Sequence, residues 1–272
     1  KLDALLDYHC NNGTDCIVIC GTTGESATMT EEEHMQCVKF AIDRVKGRIP
    51  VIAGTGSNCT REAVNISVKA EEVGADGLLC VTPYYNKCTQ EGLYQYYKAI
   101  SDAVNIPIIM YNIPGRTGTT IQPETAVRIA KEVKNVVAVK EASGNISAVA
   151  KLAALADGCL DIYSGNDDQV LPILSLGGKG VISVWSNVAP KKVHDMVYAF
   201  LEGDIKTATD IQLEAIDLID ALFCEVNPIP VKKAMELMGK DCGPLRMPLT
   251  ELSPEHTKAL AQAMKGFGIE LA

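Results

Sequence analysis

Val136-Val137-Ala138-Val139-Lys140-Glu141-Ala142-Ser143-Gly144-Asn145 is the stretch on which the fold turns. Its apolar run is short, unbroken, and bounded by Asn135 and Gly144. That is the pattern of a strand buried on both faces, as in a parallel sheet. The run ends on a lysine. Burial disfavours an ammonium ion and pulls its pKa down from about 10.4 toward neutrality. A neutral amine in an apolar pocket attacks carbonyl carbon and forms a Schiff base. The plainer role of a strand-end lysine is to snorkel into solvent, so the meaning of Lys140 depends on its company.

Moving outward, short apolar runs alternate with longer amphipathic ones. Strands are predicted at Ile17–Cys20, Pro50–Ala53, Gly77–Val81, Pro107–Tyr111, Val136–Lys140, Asp161–Ser164 and Gly180–Trp185. Helical periodicity covers Leu2–Cys10, Glu31–Val45, Arg61–Val73, Gln90–Ala103, Pro123–Val133 and Ala148–Ala156. Thr30 before three glutamates is a capping box with acids in the first turn, and Pro123 suits a first helical position. Such alternation means a parallel α/β sheet, either doubly wound or an eight-stranded (β/α)8 TIM barrel. No G-x-G-x-x-G follows an early strand, and polar residues cluster just after strand ends, so the barrel is preferred. Seven strands are visible and a helix precedes the first, so an upstream strand or a lost leader is expected. After Val193–Glu202 the pattern is purely helical (Ile205–Leu222, Val231–Met238, Pro254–Met264). The predicted organisation is a barrel over residues 1–202 and a C-terminal helical extension over 203–272, packed on it.

Composition narrows the function. Apolar residues make up 47% of 272 residues, enough for a large core, and the formal net charge is −9. Without a basic cluster, nucleic acid is not an expected partner. The ten cysteines form no C-x-x-C pair, so no zinc or redox site is expected, and buried free thiols suit a cytoplasmic protein. No apolar stretch approaches the ~18 residues of a membrane span.

The strand ends carry the chemistry. Gly21-Thr22-Thr23-Gly24-Glu25-Ser26 offers hydroxyls and N–H groups that suit a small carboxylate, although a plain turn with a helix cap has the same composition. Tyr111 ends one strand, where a hydrogen-bonded phenol can relay protons. Arg116, on the Pro114-Gly115 turn, has the fork that grips a carboxylate. Asp167 and Asp168 read as a helix N-terminal acid pair rather than metal ligands. The four histidines, His9, His34, His194 and His256, all fall in helices, which argues against a histidine base. Lysine, tyrosine, paired threonines and arginine without a metal make a class I aldolase arrangement acting on a 2-oxo acid.

Gly21–Ser26, Pro83-Tyr84-Tyr85, Tyr111-Asn112-Ile113-Pro114-Gly115-Arg116-Thr117-Gly118, Val139-Lys140-Glu141-Ala142 and Asn227-Pro228-Ile229-Pro230-Val231-Lys232 resemble, in order, the motifs of the dihydrodipicolinate synthase family. The likeness runs over essentially the whole chain, and the family belongs to the N-acetylneuraminate lyase superfamily of class I aldolases. The resemblance implies condensation of pyruvate with L-aspartate 4-semialdehyde to 4-hydroxy-tetrahydrodipicolinate in lysine and diaminopimelate biosynthesis, with no cofactor. It implies that Lys140 forms the imine and that Tyr111, Thr22 and Tyr85 relay protons, Tyr85 reaching a neighbouring subunit of a dimer of dimers. Thr22 and Thr23 would hold pyruvate, Arg116 the aldehyde's carboxylate, and Gly165 and Ile182 would line the pocket. Feedback lysine would bind near Ser26, Ala27, His34, Asn58, Glu62 and Tyr84, with Glu31 where the family often has histidine. The family's first strand has no counterpart here. The alternatives are a pyruvate-dependent lyase of N-acetylneuraminate or a 2-keto-3-deoxy sugar acid, which typically lacks the arginine, and a non-catalytic barrel that binds pyruvate or lysine.

Overall fold

The computed structural model describes residues 1–272. Seven strands form a single, wholly parallel sheet in sequential order. They are β1 (Ile17–Ile19), β2 (Val51–Gly54), β3 (Gly77–Val81), β4 (Ile108–Asn112), β5 (Val136–Glu141), β6 (Asp161–Ser164) and β7 (Gly180–Val181). Helix α1 (Leu2–Asn11) precedes β1. The crossovers carry α2 (Glu31–Val45), α3 (Thr60–Glu72), α4 (Gln90–Ala103), α5 (Pro114–Thr117) with α6 (Pro123–Glu132), α7 (Ile146–Ala156) and α8 (Val170–Ser175). After β7 come α9 (Pro190–Leu201), α10 (Ile205–Glu214), α11 (Ile216–Leu222), α12 (Ile229–Leu237) and α13 (Pro254–Gly266).

The period of two along each strand sorts side chains to two faces. Ile19, Val51, Ala53, Leu78, Cys80, Ile108, Met110 and Val139 pack outward under the helices, in a core with Val38, Tyr97 and Ile129. Leu79, Ile109, Tyr111 and Ala138 point to the other face, with Val18, Ile52, Val81 and Tyr163 against them. Residues from all seven strands line one cavity, so the sheet curls around it. Strands β1 and β7 do not pair with each other. A second core joins α8 and α9 to the C-terminal helices through Val170, Trp185, Met196, Leu218, Leu222, Met235 and Leu260.

The caps follow the sequence. Thr30 Oγ1 accepts from Glu33 N at 3.2 Å, and Glu33 accepts from Thr30 N at 2.9 Å, closing the capping box. Three local expectations need correction. The strand expected over Gly180–Trp185 pairs only at Gly180–Val181, and Trp185 begins a 3-10 turn. The cause is Asp167, whose Oδ2 accepts from Val184 N at 3.0 Å and Trp185 N at 2.8 Å and so turns that backbone away from the sheet. The helix expected over Ile205–Leu222 is two helices that meet at buried Ala215, with neither glycine nor proline to announce the break. Arg116 lies in the single-turn helix α5, not on an open turn.

Candidate active site

Lys140 is the fifth residue of β5, and its register partner on β4 is Tyr111. Its side chain points into the cavity, of about 1130 Å³, with Nζ 4.4 Å from the centroid of the Tyr111 ring. The ammonium is enclosed by protein even though the side chain keeps some surface toward the cavity. Burial drops its pKa to about 8, with Arg116 pushing the same way and the Asp167 carboxylate opposing. A glycine must follow β6 at this level. A Cβ on Gly165 would lie 2.6 Å from Ala142 Cβ and 3.0 Å from Lys140 Cε.

Tyr111 is buried, and burial raises the pKa of its phenol. The positive charge of Arg116 and a hydrogen bond with the Thr22 side chain act against that rise. Thr22 and Thr23 follow β1 in a tight turn in which Gly24 N donates to Gly21 O at 3.1 Å and Glu25 N to Thr22 O at 3.0 Å. Both threonines line the cavity, as do Arg116, Gly165 and Ile182. Ile182 N donates to Ser164 O at 2.9 Å, which holds this stretch beside β6.

The expected set therefore converges at the carboxyl ends of the strands, with one exception within the single chain. Tyr85 is 91% exposed, at φ 70°, and its N donates to Thr117 O at 3.4 Å. Of the six residues considered for lysine, only Ser26 lines the cavity that holds Lys140. Buried His34 donates from Nε2 to Gly54 O at 2.8 Å. Its pKa is lowered by burial, against the pull of that carbonyl and of the Glu31 and Glu62 carboxylates. Glu62 accepts from Ser57 Oγ at 2.5 Å, and Ser57 N donates to the hydroxyl of Tyr96, which lies near Tyr84. Asn58 O accepts from Asn86 Nδ2 at 2.9 Å. Ser26 and Ala27 form a short 3-10 turn before α2, and Glu31 is held by Lys69 and Asn65.

Two residues at the site were not foreseen in their roles. Asp167 and Asp168 open the 3-10 turn Asp167–Gln169 that leads into α8, as expected of a helix-start acid pair, but Asp167 has a second role. It is fully enclosed, accepts from the β7 loop, and faces the Lys140 charge. Burial raises its pKa, while hydrogen bonds from Ser183, Trp185 and Val184 and the Lys140 charge oppose this. Asn227, just before α12, donates from Nδ2 to Thr23 Oγ1 at 3.0 Å, and its carbonyl accepts from Arg116 Nη2 at 3.2 Å. The quoted Asn227–Lys232 motif was the only signal that could have found it.

The fold and site define the class as an α/β protein whose curled parallel sheet presents a desolvated amine, a phenol and a guanidinium to one cavity at its strand ends. The model of the dihydrodipicolinate synthetase family matches residues 1–266, and the chain belongs to that family. It is 56% identical over 269 residues to the 4-hydroxy-tetrahydrodipicolinate synthase of Lachnoclostridium phytofermentans, covering 99% of this chain and 92% of that one. The crystal structure of dihydrodipicolinate synthase from Aquifex aeolicus superposes with a TM-score of 0.97 at 47% identity, over 99% of this chain and 92% of that one. The chloride-inhibited enzyme from Acinetobacter baumannii, solved in complex with pyruvate, gives 0.96 at 45% identity, over 99% and 92%.

Proposed function

We propose that this chain condenses pyruvate with L-aspartate 4-semialdehyde to give 4-hydroxy-tetrahydrodipicolinate. The observation that carries this is the Lys140 amine, held near pKa 8 by burial beside Tyr111, in a cavity that also holds Arg116. Lys140 attacks C2 of pyruvate and, with loss of water, forms the imine. A methyl proton leaves to give the enamine, whose carbon attacks the aldehyde. The amino group of the second substrate then adds to the imine carbon and expels Lys140, closing the ring. Tyr111, in contact with Thr22, moves the protons. Thr22 and Thr23 hold the pyruvate carboxylate, Gly165 and Ile182 border it with backbone, and Arg116 holds the carboxylate of the aldehyde. A guanidinium at that place favours the synthase over a sugar-acid lyase, whose substrate brings hydroxyls there. Borohydride reduction with pyruvate should add a single adduct on Lys140, and aspartate semialdehyde should turn over where sugar-derived aldehydes do not. Labelling on another lysine, or none, would refute the assignment.

The remaining readings belong with this proposal. The bare Tyr85 ring supports a relay completed by a second copy, in a dimer of dimers. Two unpaired parallel edges, β1 and β7, bordering one cavity support an eight-stranded barrel with a further strand between them. The division at residue 202 separates barrel from helical extension, although one core spans both sides of it. No helix is long and apolar enough to cross a membrane, and a cytoplasmic biosynthetic role fits that. L-Lysine would bind with its ammonium at Glu62 and its carboxylate at Asn58 and Tyr84, with His34, Ser26 and Ala27 around it. Calorimetry and an assay with millimolar lysine test this, and no binding together with no loss of rate would end it.

A further inference from the structure

We propose that Asn227 is a positioning residue that turns the Thr23 hydroxyl into a hydrogen-bond donor for the pyruvate carboxylate and links that cradle to Arg116. This rests on the imine-forming reading above and goes beyond it. A threonine hydroxyl carries one hydrogen and two lone pairs, so its partner decides which it offers. Asn227 Nδ2 donates to Thr23 Oγ1 at 3.0 Å, whereas the reverse contact, Thr23 Oγ1 to Asn227 Oδ1, is 3.5 Å. The amide therefore occupies a lone pair and leaves the hydroxyl hydrogen free for an anion in the cavity that both residues line. Asn227 is 6% exposed, so water does not compete freely for that amide.

The same residue accepts Arg116 Nη2 on its main-chain carbonyl at 3.2 Å. One residue thus touches the groups assigned to both substrate carboxylates, by chemically separate atoms. The segment around it is pinned to the threonine loop a second time. Lys232 Nζ reaches Glu25 Oε2 at 2.7 Å in a nearly buried ion pair, and Arg246 N donates to Glu25 Oε1 at 2.8 Å. The C-terminal helices are in this way part of the substrate cradle, not only a covering of the sheet.

The two bonds can be separated by mutation. Asn227→Ala removes the amide but keeps the carbonyl. Asn227→Asp keeps the shape but can only accept, so it captures the Thr23 hydrogen and adds a negative charge. Borohydride trapping of the Lys140 adduct is measured against pyruvate concentration, and steady-state rates against both substrates, for each variant and for Thr23→Val with and without Asn227→Ala. Half-saturating pyruvate should rise by about tenfold in the alanine variant and further in the aspartate variant, with KM for the aldehyde little changed. In the Thr23→Val background Asn227→Ala should add no further loss, because the two act through one hydroxyl. Trapping curves that coincide with wild type, or full additivity in the double variant, would overturn the proposal and leave the imine reading standing. No adduct in the wild type at all would remove both. If the aspartate variant does not fold, the alanine variant and the cycle decide.

Discussion

Lys140 and Tyr111 are register partners on adjacent parallel strands, and the amine sits 4.4 Å from the centre of the phenol ring. Neighbouring strands therefore supply the proposed nucleophile and proton carrier without any loop between them, which makes their spacing a property of the sheet. The ring also removes water from the amine, which fits burial as the leading cause of the low pKa.

That pKa has a kinetic signature. Only the neutral amine attacks pyruvate, so below about 8 the rate of imine formation should rise tenfold per pH unit and then level off. An ordinary lysine would keep gaining up to about pH 10.4. Single-turnover trapping of the adduct from pH 6 to 10 measures the profile. A rate still climbing at pH 9.5 would show that burial does not set the reactivity of Lys140.

Gly165 should tolerate no side chain. Its added Cβ would press on Ala142 Cβ at 2.6 Å and on the Lys140 stem at 3.0 Å and 3.1 Å. Overpacking of this kind costs about 1–3 kcal/mol, and here the movable neighbour is the catalytic stem. Gly165→Ala should lower the melting temperature modestly and depress imine formation by roughly a hundredfold, about 2.7 kcal/mol of barrier. A variant with wild-type trapping kinetics would show that the stem has room to move.

The parallel sheet was legible because its strands are covered on both faces, so β2 to β5 read as short apolar runs rich in Val, Ile and Leu. That Lys140, Tyr111, Thr22 and Thr23 meet at one cavity was legible because side chains at the strand ends of such a sheet converge there. Ile182 to Trp185 misled because their composition is that of a strand, while the carboxylate that diverts the backbone sits on the preceding crossover. Asp167 opens a helical turn as its sequence context suggests, but its bonds to Val184 and Trp185 leave no local trace. Asn227 has partners 204 and 111 residues away, Thr23 and Arg116, and no local pattern encodes such contacts.

Arg116 should decide the second substrate more than the first. Losing a charge-assisted contact to a carboxylate costs about 2–4 kcal/mol. Arg116→Ala should therefore lower kcat/KM for aspartate semialdehyde by about 30-fold or more, while the pyruvate adduct on Lys140 still forms. Arg116 also donates to Asn227 O, so a small rise in the pyruvate requirement is compatible with the assignment. Equal kcat/KM for the aldehyde in wild type and variant would move the preference to another acidic substrate.

Tyr85 offers the sharpest test of assembly. The residue is 91% exposed and its backbone is held at φ 70°, a left-handed conformation that costs energy for a residue with a side chain. The proposal of a relay completed by a second copy gives this bare aromatic side chain a cover. Tyr85→Phe keeps the ring and removes the hydroxyl, and Lys140→Ala removes the nucleophile, so each variant alone should be nearly inactive. In a mixed oligomer, a site that takes its lysine from one variant and its tyrosine from the other has both intact. Denaturing the two together and refolding them should therefore restore a measurable fraction of wild-type activity, detectable against each variant refolded alone. No recovery, with subunit exchange verified by mass, would place Tyr85 outside the relay or within its own subunit's site.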